Sequence, residues 1–364
     1  MKKYLLSLGL LSIGSILPAQ DQFIPVWERF VGGTGANSVP AFFTTDNLTR
    51  GGSYNLASTA AGGESVILVS RNTANAARVL APNTDVALYN LDNTGITGGT
   101  FPINLGVVDS FGAVYVCNLG TTTGAYKLYR YPSDAAAVAP TVIADGVNTT
   151  AARVGDAIDI IESGNNITIY ATGNNAAART VATSSTDGGT TWTSAEVGAT
   201  AAATGITGDT IGGSIFLKAG ATNITEYNQA GTAGAVFSPT SVPDYTIGQN
   251  ANLQFFNYNS GDYIFSHSYR FSADATLGNT FTRHQVLQLT NRTAGSEAGI
   301  VAFEVPIPVF SGALANGNDN GNGSGAVQVW EDGGDLFAFV LVTNNYYGVY
   351  TLPNPLSVSD WDLF

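Results

Sequence analysis

An all-β fold, a β-propeller of six blades whose ring is closed by an N-terminal strand, is what this sequence predicts. Three observations carry it. No long stretch places apolar residues at the three-and-four spacing of a helix, whereas short alternating runs of Val, Ile, Tyr, Phe and Thr, cut by Gly, Asn and Asp, recur throughout. A glycine-bearing turn followed at once by an apolar strand appears six times, with key glycines Gly63, Gly112, Gly164, Gly213, Gly261 and Gly334, spaced 49, 52, 49, 48 and 73 residues apart. A period near fifty with about four strands per unit suits a propeller blade, because one such sheet cannot bury both faces alone while a ring of them can.

The elements follow in order. Lys2 and Lys3, the apolar run over residues 4–16 and the small residues before Gln20 have the layout of a secretory signal peptide, too short to span a bilayer. Residues 1–20 are therefore read as a leader, and residues 21–364 as one propeller domain placed in the periplasm, at the cell surface or outside the cell. The third repeat shows strands over 156–162, 166–171, 179–184 and 191–197. The last shows only three, over 326–330, 336–342 and 347–352, so the N-terminal run 24–31 supplies the fourth. The Gly/Asn-rich stretch 316–325 is read as an insertion loop, which accounts for the long last spacing. A seventh, degenerate blade would require residues 300–309 to start a sheet of their own. In each blade the recurring apolar segment is expected second from the axis, covered on both faces.

Charged residues make up 11 % of the chain, with 27 acids against 14 bases. An acidic chain without a basic stripe is repelled by nucleic acid and by anionic membrane surfaces, and no later segment is apolar enough for membrane insertion. Cys117 is the lone cysteine; its run Val114-Tyr115-Val116-Cys117 reads as buried strand, not as a reactive thiol. His267 and His284 are too few for a histidine metal site and read as surface or hydrogen-bonded residues. Residues 316–322 offer a calcium loop only the carboxylate of Asp319, so no cofactor is expected, calcium being the one ion their oxygen-rich composition would suit.

The most specific motif is Ser185-Thr186-Asp187-Gly188-Gly189-Thr190-Thr191-Trp192, which fits the Asp-box pattern Ser-x-Asp-x-Gly-x-Thr-Trp. Ser185, Asp187, Gly189, Thr191 and Trp192 are expected to form a self-contained turn: the carboxylate accepts backbone N–H groups, glycine adopts positive φ and tryptophan packs on the blade. Asp-boxes occur in sialidases and other propellers, on the blade periphery. A sialidase also needs converging arginines, and no arginine here sits in an Arg-Ile-Pro context.

A wider likeness spans residues 48–198. It runs through Thr49-Arg50-Gly51 with Tyr54-Asn55, Val69-Ser70-Arg71, Thr97-Gly98-Gly99-Thr100-Phe101, Tyr126-Lys127-Leu128-Tyr129-Arg130, and Arg153-Val154-Gly155-Asp156 with Asp159. In these segments the chain resembles an uncharacterised family of secreted bacterial propeller proteins, a domain of unknown function, although members usually carry an aromatic residue where Val154 stands. The resemblance implies a propeller and export, and brings no activity. Arg50, Arg71, Arg153 and Asp156 fall near strand ends, where they either face the central channel as a ligand site or tie blades together as ion pairs.

Two functional readings follow. The first is a non-catalytic surface module binding a glycan or a protein, or assembling into an oligomer or polymer. The alternative is a secreted carbohydrate-active enzyme, a sialidase-like glycoside hydrolase. The enzyme predicts carboxylates with a Tyr or Arg set at one channel mouth; the module predicts paired or scattered charges there.

Overall fold

A computed structural model of the chain describes residues 22–43, 46–72, 74–121, 124–147, 153–174, 179–198, 202–219, 222–246, 249–270, 281–305 and 325–352. The leader, the insertion over 316–324 with its calcium-like composition, and the C-terminal residues 353–364 lie outside the described residues. Among the described residues, twenty-four strands form six antiparallel four-stranded sheets. The first blade is β2 (Thr49–Asn55), β3 (Ser65–Ser70), β4 (Ala76–Leu80) and β5 (Ala87–Asn90). The second is β6 (Phe101–Val108), β7 (Val114–Leu119), β8 (Lys127–Tyr131) and β9 (Thr141–Asp145). The third is β10 (Ala157–Ser163), β11 (Asn166–Thr172), β12 (Thr180–Ser185) and β13 (Thr193–Val197). The fourth is β14 (Gly205–Gly208), β15 (Ile215–Lys218), β16 (Ile224–Tyr227) and β17 (Ala233–Phe237). The fifth is β18 (Gln249–Tyr258), β19 (Gly261–Arg270), β20 (Phe281–Asn291) and β21 (Ala298–Val305).

The sixth blade combines β22 (Ala326–Asp332), β23 (Asp335–Val342) and β24 (Tyr346–Leu352) with β1 (Ile24–Phe30), which pairs antiparallel to β24 from Ile24↔Thr351 to Phe30↔Tyr346. The N-terminal strand therefore closes the ring, supplying the strand that the last repeat lacks. Residues 300–305 belong to β21, the outer strand of the fifth blade. That settles the count at six: β21 hydrogen-bonds to β20 and begins no new sheet.

Burial follows position in the blade. The second strands β3 and β7 are buried at every residue, whereas the outer strands β5 and β13 alternate or face solvent. The inner strands contact one another around the axis, and β22 returns to β2. Six apolar clusters fill the six gaps between blades. Between the first and second, Ile67, Val69 and Val79 meet Val116 and Tyr129. Between the sixth and first, Phe339 and Leu341 meet Tyr54, Val66 and Leu68. Each sheet is thus one wall of two cores. Cys117 is fully buried in the cluster between the second and third blades, and burial pushes its thiol up to about 12.

The repeated turn shows why glycine marks the period. Gly112 has φ +87, and a β-carbon there would lie 2.3 Å from the Ala57 carbonyl oxygen of the preceding blade. In the fifth blade the left-handed residues are Asn259 and Ser260, and Gly261 takes an ordinary strand conformation. A two-residue hairpin needs positive φ at both central positions, and Asn tolerates it.

Candidate functional site

The inner strands all run the same way and splay from the axis, so side chains lace them together. Gln328 on β22 accepts the Tyr54 N–H (2.7 Å) and donates to the Tyr54 carbonyl (3.0 Å) on β2. Gln254 on β18 accepts the Val329 N–H of β22. Thr207 on β14 accepts the Phe255 N–H (2.7 Å) and donates to Asp159 Oδ2 on β10 (2.6 Å). Asn104 on β6 donates to the Gly155 carbonyl (2.6 Å) at the entry to β10. Buried amide groups facing an axis need such partners, since no neighbouring strand supplies a ladder.

Toward the end where the inner strands finish, the channel opens into a cavity of about 180 Å³, lined by Tyr54, Asp109, Asp159, Glu162, Asn252, Gln254, Gln328 and Trp330 among others. Shallower hollows of about 340 and 450 Å³ lie on the outer rim, one beside Trp192 and one beside Phe42 and Arg78. The channel mouth is preferred because polar groups from five blades converge on it.

Three carboxyl groups meet there. Asp109 caps the β6–β7 turn, accepting from the Phe111 N–H (3.0 Å), the Ala113 N–H (2.7 Å) and the Tyr115 hydroxyl (2.8 Å). Glu162 reaches across to the second blade, where it accepts the Ser110 N–H at 3.0 Å and its hydroxyl at 3.1 Å. Burial, with Asp109 nearby, raises the Glu162 pKa against the pull of those donors. Asp159 is 5 % exposed, and burial lifts it to about 8 although Thr207 donates to it. It is therefore mainly protonated at pH 7. Among the described residues no lysine or arginine lines the cavity. One wall is aromatic: Tyr54 and Trp330 stack at 5.0 Å and 5°, and Phe337 continues the stack behind Trp330 at 5.6 Å.

None of the four charged residues singled out in the sequence lines this cavity. Arg153 and Asp156 pair with each other in two hydrogen bonds, and Asp156 also accepts the Asn174 N–H (2.9 Å). Arg71 lies over the Phe101 ring at 3.6 Å and donates to the Asn47 carbonyl; burial and the neighbouring Arg50 lower it to about 10. Arg50 is buried at the start of β2. These residues gather at the opposite end of the ring. Residues 185–192 turn between β12 and β13 on the outside. Asp187 accepts the Thr190 N–H (3.0 Å), Thr191 N–H (2.9 Å) and Thr191 hydroxyl (2.7 Å), Ser185 Oγ accepts the Gly189 N–H (2.9 Å), and Trp192 packs edge-on against Tyr115. His267 and His284 are buried instead of lying on the surface. They face each other across β19 and β20 with ring centroids 4.6 Å apart, and His284 bonds the Tyr346 hydroxyl (2.6 Å).

Sequence reasoning missed Asp109, Glu162, Asn252, Gln254, Gln328 and Trp330 as site residues. One signal was present: Asp109 and Asp209 each stand just past an inner strand, and each caps its turn. That pattern marks the mouth of the channel.

The sequence matches no family model, and no curated protein is detectably similar to it. Solved structures show the fold. A DUF4623 family protein from Bacteroides eggerthii superposes with a TM-score of 0.58 over 92 % of this chain and 77 % of its own, at 18 % identity. This chain therefore shares its fold with that DUF4623 family protein. A gluconolactonase from Xanthomonas campestris (TM-score 0.44, 13 % identity, 92 % of this chain and 99 % of that one) and a sialidase mutant from Trypanosoma rangeli (0.44, 11 %, 91 % and 59 %) are more distant.

Proposed function

We propose that this chain is an exported binding module that takes a glycan at the acidic channel mouth and catalyses no reaction on it. The observation behind this reading is the pairing of a stacked aromatic wall, Tyr54 with Trp330, with convergent carboxyl and amide groups in a cavity without lysine or arginine among its described lining. A sugar offers apolar C–H groups to the aromatic edge that borders the cavity and hydroxyl groups to its polar side chains. The leader-like N-terminus supports export.

The cavity holds carboxyl groups with a tyrosine, as the hydrolase alternative predicts, and its described lining holds no arginine. A sialic-acid carboxylate therefore has no cation to meet in it. Glycoside hydrolysis further needs one acid and a second carboxylate free to attack or to activate water. Asp159 has the raised pKa of an acid, which is the observation favouring a hydrolase. Asp109 and Glu162, however, each have both oxygens engaged by protein donors. A glycan array tests the binding reading. Selective binding that Glu162→Gln weakens with an intact melt is expected; an empty array overturns it. Turnover of aryl glycosides that Asp159→Asn removes would install the hydrolase instead.

A further inference from the structure

We infer that the ligand of this mouth is a cationic sugar, a glycan carrying free amino groups, and not a neutral or anionic one; the inference rests on the glycan reading above. Asp109, Asp159 and Glu162 share one cavity whose described lining includes no lysine or arginine, so no basic side chain in the wall neutralises them. A carboxylate has about four lone-pair sites, so each keeps capacity for an ammonium after its bonds to the protein are made. Asp159, neutral in the empty cavity, ionises when an ammonium arrives and gives up a proton, since a nearby opposite charge favours the carboxylate.

Charge is distributed along the axis in the same sense. The turns at the mouth end carry Glu64, Asp109, Asp134, Asp209, Asp332 and Asp335. Among the described residues, Arg292 and Arg130 near that end are both held by the protein: Arg292 is enclosed by Asp209, Glu226 and Asp262, and Arg130 donates to the Tyr115 hydroxyl at 3.3 Å. Arg50, Arg71, Lys127, Arg153, Arg179 and Lys218 lie at the other end, where inner strands begin and second strands finish. The acids there include Asp145, Asp156 and Glu196, which pair with Lys127, Arg153 and Arg179. A low-dielectric cleft lined by one sign of charge concentrates ions of the opposite sign.

Independent of charge, Asn252 presents the cavity with a polar donor. It is 8 % exposed and lines the cavity; its carbonyl accepts the Leu253 N–H, and among the described residues no acceptor takes its side-chain N–H groups. A ligand hydroxyl oxygen satisfies that donor. The cavity's 180 Å³ is smaller than the roughly 300 Å³ at which drug-sized sites begin, which suits one sugar unit entering from a longer chain.

Calorimetry on the whole protein decides the matter, with three oligosaccharides of equal length: a glucosamine oligomer, its N-acetylated counterpart and a glucose oligomer. The titrations run at pH 6 in 20 mM and 200 mM salt. The expected result is at least tenfold tighter binding of the glucosamine oligomer in low salt, a margin that shrinks in high salt and in Glu162→Gln. Equal affinity for all three, or preference for an uncharged oligomer, overturns the inference and leaves the glycan reading standing. Failure of all three to bind sinks both. The comparison among sugars is made on the unaltered protein, so it stands even where the variant does not fold.

Discussion

Replacing Lys218 with methionine should stabilise the protein at neutral pH. The ammonium lies at the end of β15 between the fourth and fifth blades, fully buried, with Ser268 Oγ at 2.8 Å and the Tyr245 ring 5.4 Å away. No carboxylate is paired with it among the described residues. Burial lowers its pKa from 10.5 to about 7. At about 1.4 kcal/mol per pH unit, that difference amounts to about 4 kcal/mol of lost stability at pH 7, where the group is half charged. Methionine keeps the volume and forfeits one hydrogen bond of about 1 kcal/mol, so a net gain of roughly 3 kcal/mol is expected. The sign follows from proton counting. Between pH 7 and 10.5 the unfolded chain binds more protons at this site than the folded one, so wild-type stability from this site rises with pH across that window and is lost on descent toward 7. The variant has no such dependence, and its advantage should shrink steadily as pH rises, reversing near 10.5. Urea unfolding of both proteins at pH 7, 8.5 and 10 measures it. A variant less stable than wild type at pH 7, or a difference that does not change with pH, would refute the reasoning, because it would mean that the lysine keeps its charge without penalty.

Asp159→Asn carries the opposite signature. The carboxyl is raised from 3.8 to about 8 by burial, so its contribution is complete below pH 3.8 and is lost as pH climbs to 8; the variant should gain on wild type across that interval in urea titrations, while its amide oxygen still accepts from Thr207. Asp134 ties its own loop after β8 to the first blade through Asn55, Ser58, Thr59 and Ser65. Asp134→Ala strands these donors and should cost about 3 kcal/mol, read as a lowered denaturant midpoint at unchanged slope; an unshifted midpoint would show that water replaces the carboxylate.

How far the sequence could be read depends on which feature is asked for. The β3 and β7 segments were visible as near-unbroken apolar runs because a strand second from the axis is covered on both faces. The closing strand was visible from a shortage, three strands in the last repeat where a blade needs four. Asp109 and Glu162 were not visible as a site. Each reads locally as a turn or strand residue, and the other lining residues Tyr54, Asn252 and Gln328 lie one to several repeats away along the chain. His267 and His284 likewise gave no hint that β19 and β20 would bury them side by side.

Local chemistry alone therefore determined the strands, their turns and the period, since alternation, glycine conformation and apolar coverage are properties of short segments. The choice of six blades over seven waited on the partner that β21 takes. Which acids share a cavity, which cations are sent to the far end, and which lysine is left buried were decided only when the sheets came round in a circle. Radial placement brings residues together by blade angle and height along the axis, and neither coordinate is written in the spacing of a single repeat.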